Sequence, residues 1–355
     1  MDKKKDLRRL LICIACCMGL VMIWTVIIDP FHHYHAPWFN IPLILEDEVY
    51  QTPGNATNLE YSSAIVGTSM TENFRVSWFE EELGWDMMKL CYAGASSGDL
   101  QALLECVYAN SRQVEHIVMD LNDYQLTEEL GATYVERPKY LYSKTLLDDY
   151  RYIYNHDVFT LGAERVLAGL QGKESNIETA FTWEEEELFG KEIVLEGHRP
   201  AKEMLLEKNK EQKSVEKDSI DEAVKLCEAN LNQIIPFIKE HPETKYIVYL
   251  PPYSMLYWEQ IVLEDKLEEK MAVYKYAVEQ LIGLENVEFY YFQGEDMTEN
   301  LDEYRDITHH KPKYNRYIFE CMKDGKNRLT YDNYEEELQK VYNKAKSYAY
   351  EVLWQ

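Results

Sequence analysis

Nineteen consecutive residues without a charge, Leu10–Ile28, constrain this chain more than any other feature. As a helix rising ~1.5 Å per residue, the run spans about 28 Å, close to the ~30 Å hydrocarbon core of a bilayer. Lys3, Lys4, Lys5, Arg8 and Arg9 precede it, and Asp29-Pro30 closes it. Basic flanks stay preferentially on the cytoplasmic side. The expectation is therefore a single-pass cell-membrane anchor over residues 10–28, with residues 1–9 cytoplasmic and everything after Asp29 outside. A cleaved signal peptide fits less well. Its apolar region is usually shorter, and Val26-Ile27-Ile28-Asp29-Pro30 offers no small-x-small cleavage site.

The chain beyond this run is long enough for one large domain, or one domain with an insertion. A net charge of −26 argues against a nucleic-acid partner and against an anionic lipid surface, since both repel an acidic protein. Of seven cysteines, Cys13, Cys16 and Cys17 fall in the apolar run, and Cys91, Cys106, Cys227 and Cys321 are scattered. Scattered cysteines make no disulfide framework and read as small buried apolar residues. His32, His33 and His35 have the composition of a metal site. They lack carboxylates at ligand spacing, so an interfacial linker is the simpler reading, and no metal or cofactor is expected.

Residues 29–60 read as a stalk. From Tyr61, short apolar runs alternate with helical patterns. Strands are predicted at Ala64–Val66, Trp85–Tyr92, His116–Met119, Tyr246–Leu250 and Val287–Phe292. Helices are predicted at about Thr71–Leu83, Leu100–Asn110, Asp218–Glu240, Trp258–Ile282 and Lys313–Met322. Residues from about 125 to 215 break the alternation and read as a partly helical, partly irregular insertion or lid within a domain spanning 61–333. Residues 334–355 read as a charged helical tail. Alternating strands and helices imply an α/β fold with a parallel sheet covered on both faces. Ligand crevices in such sheets lie beyond the carboxyl ends of the strands.

Each chemically suggestive residue falls just after a predicted strand. Gly67-Thr68-Ser69 puts a serine hydroxyl between a strand and a helix. Asp306-Ile307-Thr308-His309 places a carboxylate three residues before an imidazole. A serine nucleophile needs such a base, and the base needs a carboxylate to fix its tautomer. Gly94 and Asn122 come after two further strands. They supply the donors that acyl transfer requires, a backbone N–H and a side-chain amide for a developing oxyanion.

The order of these four blocks resembles the SGNH (GDSL-like) hydrolase superfamily: an early serine, a glycine, an asparagine and a late Asp-x-x-His. Thr68 stands where the GDSL pattern has Asp, and Asp120 stands where the Gly-x-Asn-Asp block has Gly. The resemblance implies an SGNH-type three-layer sandwich. In it Ser69 is nucleophile, His309 base and Asp306 its orienting partner, with Ser69, Gly94 and Asn122 forming the oxyanion hole. The stretch Ile65–Phe74, with Pro138–Leu141 and Asp306–Asn315, is also similar to bacterial SGNH-like proteins with one N-terminal membrane helix. These include the D-alanyl transfer protein of teichoic-acid modification and alginate O-acetylation proteins. That similarity implies an esterase or acyltransferase acting on an acylated cell-surface glycan, beside a polytopic membrane O-acyltransferase. The alternative is an inactive SGNH-like partner of such an acyltransferase.

Overall fold

The computed structural model of the chain describes residues 3–143, 145–210 and 220–355. The first helix, α1, runs Lys3–Ile28 and so takes in the basic flank. After α2 (Glu48–Asn58) come β1 (Ser63–Gly67), α3 (Val76–Leu83), β2 (Met87–Cys91), α4 (Ser97–Val107) and β3 (His116–Asp120). Next are α5 (Asp123–Thr127), α6 (Tyr150–Ile153), α7 (His156–Leu170), α8 (Lys191–Lys210), α9 (Ile220–Leu231) and α10 (Ile235–Glu240). The chain continues through β4 (Lys245–Leu250), α11 (Met255–Leu263), α12 (Leu267–Ile282), β5 (Val287–Tyr291), α13 (Pro312–Asp324), β6 (Arg328–Leu329) and α14 (Tyr334–Ser347).

The six strands form one sheet in the order β2-β1-β3-β4-β5-β6. The first five are parallel, and β6 adds antiparallel to β5. Every residue of β1 and β2 is buried, as is nearly every residue of β3, β4 and β5. Burial of both alternating sets of side chains means that both faces are covered, the usual condition of a parallel sheet. Strand order reverses between β1 and β3. At such a switch point the two adjacent crossovers leave in opposite directions and open a crevice at the carboxyl end.

The chain divides into two compact units. The first comprises Met1–Tyr61, Ala102–Arg112 and Glu136–Phe181, and the second the remainder, with the whole sheet. In the first unit Phe31, Leu141, Tyr152 and Val158 form a small core. Asp29, 1% exposed, accepts hydrogen bonds from the backbone N–H groups of His33, Tyr34 and His35 and from the Tyr152 hydroxyl.

Several expectations need correction. Residues 29–60 are not a stalk: α2 buries seven of its residues within the first unit, because distant segments supply the partners. The insertion expected over 125–215 is divided, with residues 136–181 in the first unit and 182–210 in the second. Its last residues, 211–215, lie outside the described residues, as does the expected helix start at Asp218. The helix expected over Asp218–Glu240 breaks between α9 and α10, where Pro236 sits in the first turn of the new helix. The one expected over Trp258–Ile282 breaks at Asp265, whose φ is 58°. Residues 334–355 are no free tail, since Leu338, Val341, Ala345 and Leu353 are buried.

Candidate active site

Thr68 and Ser69 leave the end of β1 in a tight turn, and α3 begins only at Val76 rather than at Thr71. The Thr71 hydroxyl donates to the Thr68 carbonyl at 2.7 Å, closing the turn. Elements on several sides hold it. The Met70 carbonyl accepts from the Asn315 amide of α13 at 2.8 Å and the Tyr249 hydroxyl of β4 at 3.1 Å. From β3, the Asp120 carboxylate accepts from the Thr68 backbone N–H at 2.8 Å and the Thr68 hydroxyl at 2.6 Å. A Cβ on Gly67 would lie 2.1 Å from Asp120 Oδ1, so only glycine admits this clamp. Burial pushes the Asp120 carboxyl up to about 6, although the hydrogen bonds from Thr68 and Asn122 pull the other way.

The late motif meets the serine across the crevice. Ser69 Oγ lies 2.8 Å from His309 Nε2, and His309 Nδ1 lies 2.7 Å from Asp306 Oδ2. The other carboxylate oxygen, Asp306 Oδ1, accepts from the backbone N–H groups of Thr308 and His309, both at 2.8 Å. Burial alone would raise the Asp306 carboxyl. The His309 hydrogen bond and charge, with those N–H groups, outweigh it and hold the acid well below the usual carboxylate range. An ionised Asp306 fixes a proton on Nδ1 and leaves Nε2 as the acceptor facing Ser69. Ser254 anchors the motif through its backbone N–H and hydroxyl, which donate to the Ile307 carbonyl at 3.0 and 2.9 Å. The neighbouring His310 is buried between Tyr304 and Tyr314, and burial pushes it down to about 4.

Gly94 and Asn122 both line the same pocket as Ser69 and His309, a space of about 650 Å³. Gly94 sits at φ 68° in a turn closed by the Ala95 N–H donating to the Tyr92 carbonyl. Among the described residues the N–H groups of Ser69 and Gly94 have no hydrogen-bond acceptor. Asn122 caps α5: its Oδ1 accepts from the Gln125 N–H at 3.0 Å, while the Gln125 side chain accepts from the Asn122 N–H. That fixes the amide so its NH₂ faces Thr68 and Asp120, at 3.2 and 3.4 Å. All five residues singled out from the sequence, Ser69, Gly94, Asn122, Asp306 and His309, therefore border one space.

No protein-family model and no curated protein matches the chain.

Sequence reasoning missed the wall of the pocket. Trp183 meets the His309 ring edge-on at 5.5 Å, donates from Nε1 to Glu72 at 2.6 Å, and has the Arg305 guanidinium 5.7 Å from its ring centroid. Tyr124, Tyr134, Tyr253 and Tyr257 line other sides. Trp183 lay hidden in the irregular stretch, where the only signal was one large aromatic residue before a run of glutamates. His32, His33 and His35 turn to separate partners: Asn55, Asp149 and the Val26 carbonyl. Among the described residues no group of three His, Cys, Asp or Glu side chains is placed to hold a metal. The four scattered cysteines are buried and form no disulfide.

Proposed function

We propose that the second unit is an SGNH-type three-layer domain and acts as a serine esterase or O-acyltransferase on an acylated cell-surface glycan. In this reading α1, which is long and apolar enough to cross a membrane, is a single-pass anchor. Its basic N-terminus stays in the cytoplasm and the folded units lie outside. A polytopic membrane O-acyltransferase is the expected partner, and the aromatic wall suits a sugar ring.

The observation that carries the proposal is the continuous path Ser69–His309–Asp306 opening on the N–H groups of Ser69 and Gly94, which have no acceptor among the described residues. Ser69 Oγ attacks the acyl carbonyl as His309 Nε2 takes its proton. The oxyanion is met by the N–H groups of Ser69 and Gly94 and the Asn122 amide. His309 then returns the proton to the leaving alkoxide, leaving an acyl-serine. Water or a glycan hydroxyl attacks that ester, again losing its proton to His309, and Ser69 is restored.

The test is covalent labelling by a serine-directed phosphonate, with the modified residue found by mass spectrometry. Full-length protein should be labelled at Ser69, and Ser69→Ala should abolish the label. Asn122→Ala should slow labelling by about a hundredfold, the ~3 kcal/mol of one oxyanion donor. An unlabelled Ser69, in membranes that hold the partner and glycan, would overturn the enzyme reading in favour of an inactive binding partner.

A further inference from the structure

The first unit carries an apolar surface, around the exit of α1, that the proposed chemistry does not use. α7 packs on the last turns of α1. A Cβ on Gly162 would lie 3.3 Å from both Ile28 Cγ2 and Trp24 Nε1, so the two helices cross closely at this small residue. The Phe159 ring lies 5.6 Å from that of Trp24. From α1 the Thr25 hydroxyl donates to the Ile153 carbonyl at the end of α6. Asp29 and its three backbone donors, the N–H groups of His33, Tyr34 and His35, come at once after the helix, so α1 enters folded chain without slack.

α7 is apolar on two faces. Val158, Gly162 and Ala168 turn inward. Phe159, Leu167 and Leu170 are exposed, Leu170 by 81%. At 3.6 residues per turn these three fall within about 80° of arc, which makes a stripe rather than a scatter. The loop after α1 extends it. His35 Nε2 lies 2.7 Å from the Val26 carbonyl in α1, and the His35 ring stacks on Trp38 with centroids 3.8 Å apart. At the other end of α7, a Cβ on Gly169 would lie 2.7 Å from the Asn40 carbonyl oxygen. Trp38 and Phe39 are thereby held between the end of α1 and the end of α7. Phe39 is 79% exposed and sits at φ 62°, a conformation bulky residues avoid.

An isolated exposed apolar residue needs no explanation, but a stripe of them beside a membrane-length helix does. Aromatic residues gather at the level of lipid headgroups, and apolar stripes on surface helices enter the headgroup–acyl boundary. With a net charge of −26, attraction to anionic lipid cannot supply the contact; apolar insertion can. We propose that Trp38, Phe39, Phe159, Leu167 and Leu170 form a seat that dips into the bilayer interface beside α1 and holds the first unit on the membrane surface. This inference rests on α1 being a membrane span.

The test uses full-length protein in nanodiscs of phosphatidylcholine brominated on the upper acyl chain, which quenches nearby tryptophan. Subtracting the emission of Trp38→Phe and of Trp24→Phe from that of the unaltered protein isolates each tryptophan. Both should lose emission relative to discs of unbrominated lipid. Phe39→Ser combined with Leu170→Ser changes only exposed side chains and should weaken the quenching of Trp38. Unchanged quenching in that variant would overturn their part in the seat. Quenching of Trp24 alone would overturn the seat while leaving the anchor intact, and would give the surface to a membrane protein instead. Quenching of neither would remove the anchor itself.

Discussion

Thr68 and Asp120 meet at the carboxyl ends of β1 and β3, where the Asp120 carboxylate holds the residue before Ser69. Ser69, Gly94, Asn122, Asp306 and His309 were legible because their chemistry is distinctive and each comes after a strand. The clamp was not, because residues 68 and 120 meet only once the sheet has formed. A carboxyl with a native pKa of about 6 and an unfolded one of ~4 binds the extra proton when folded. Its stabilising contribution is fully present below about 4 and lost as pH rises through 6. Asp120→Asn cannot titrate, so thermal unfolding of the full chain in detergent should lose this part of its pH dependence. Labelling of Ser69 should slow in the same variant, because the turn that presents the serine is held less firmly. An unchanged pH profile would contradict the assignment.

At the scale of elements, the strands were the most legible, since parallel strands buried on both faces read as unbroken apolar runs. Helix ends were less so. The break at Pro236 follows from a proline, which a helix accommodates best in its first turn, whereas the positive φ at Asp265 has no such local signal. The segment 29–60 misled for a stronger reason. Its polar hub is completed by Tyr152, far along the chain, and locally it looks like a spacer. Asp29→Ala leaves three backbone N–H groups and a buried phenol without an acceptor. Losing a buried charged acceptor of this kind should cost about 3 kcal/mol or more. The expected readout is rapid cleavage of residues 29–61 by a protease that spares the unaltered protein; equal resistance would show the hub to be dispensable.

For the molecule as a whole, the order anchor, stalk, domain, tail gives way to two units threaded through one another in sequence. Periodicity identifies elements but not which of them share a core, so this division was not legible. The sidedness is inferred from the basic flank of α1 and is open to a direct check. Protease added to intact cells, with the outer surface accessible, should digest both units while sparing Lys3–Ile28; protection of the units would reverse the topology.

The hydrogen bond from Tyr152 to Asp29 joins residues 123 apart in the chain. At a synthesis rate of ~5–20 residues per second, the carboxylate waits roughly 6–25 s for that tyrosine to be made. By then β1, β2 and β3 of the other unit have already been made. The first unit therefore cannot fold to completion until residues near Tyr152 have been made, and until then Asp29 lacks the phenol that closes its hub.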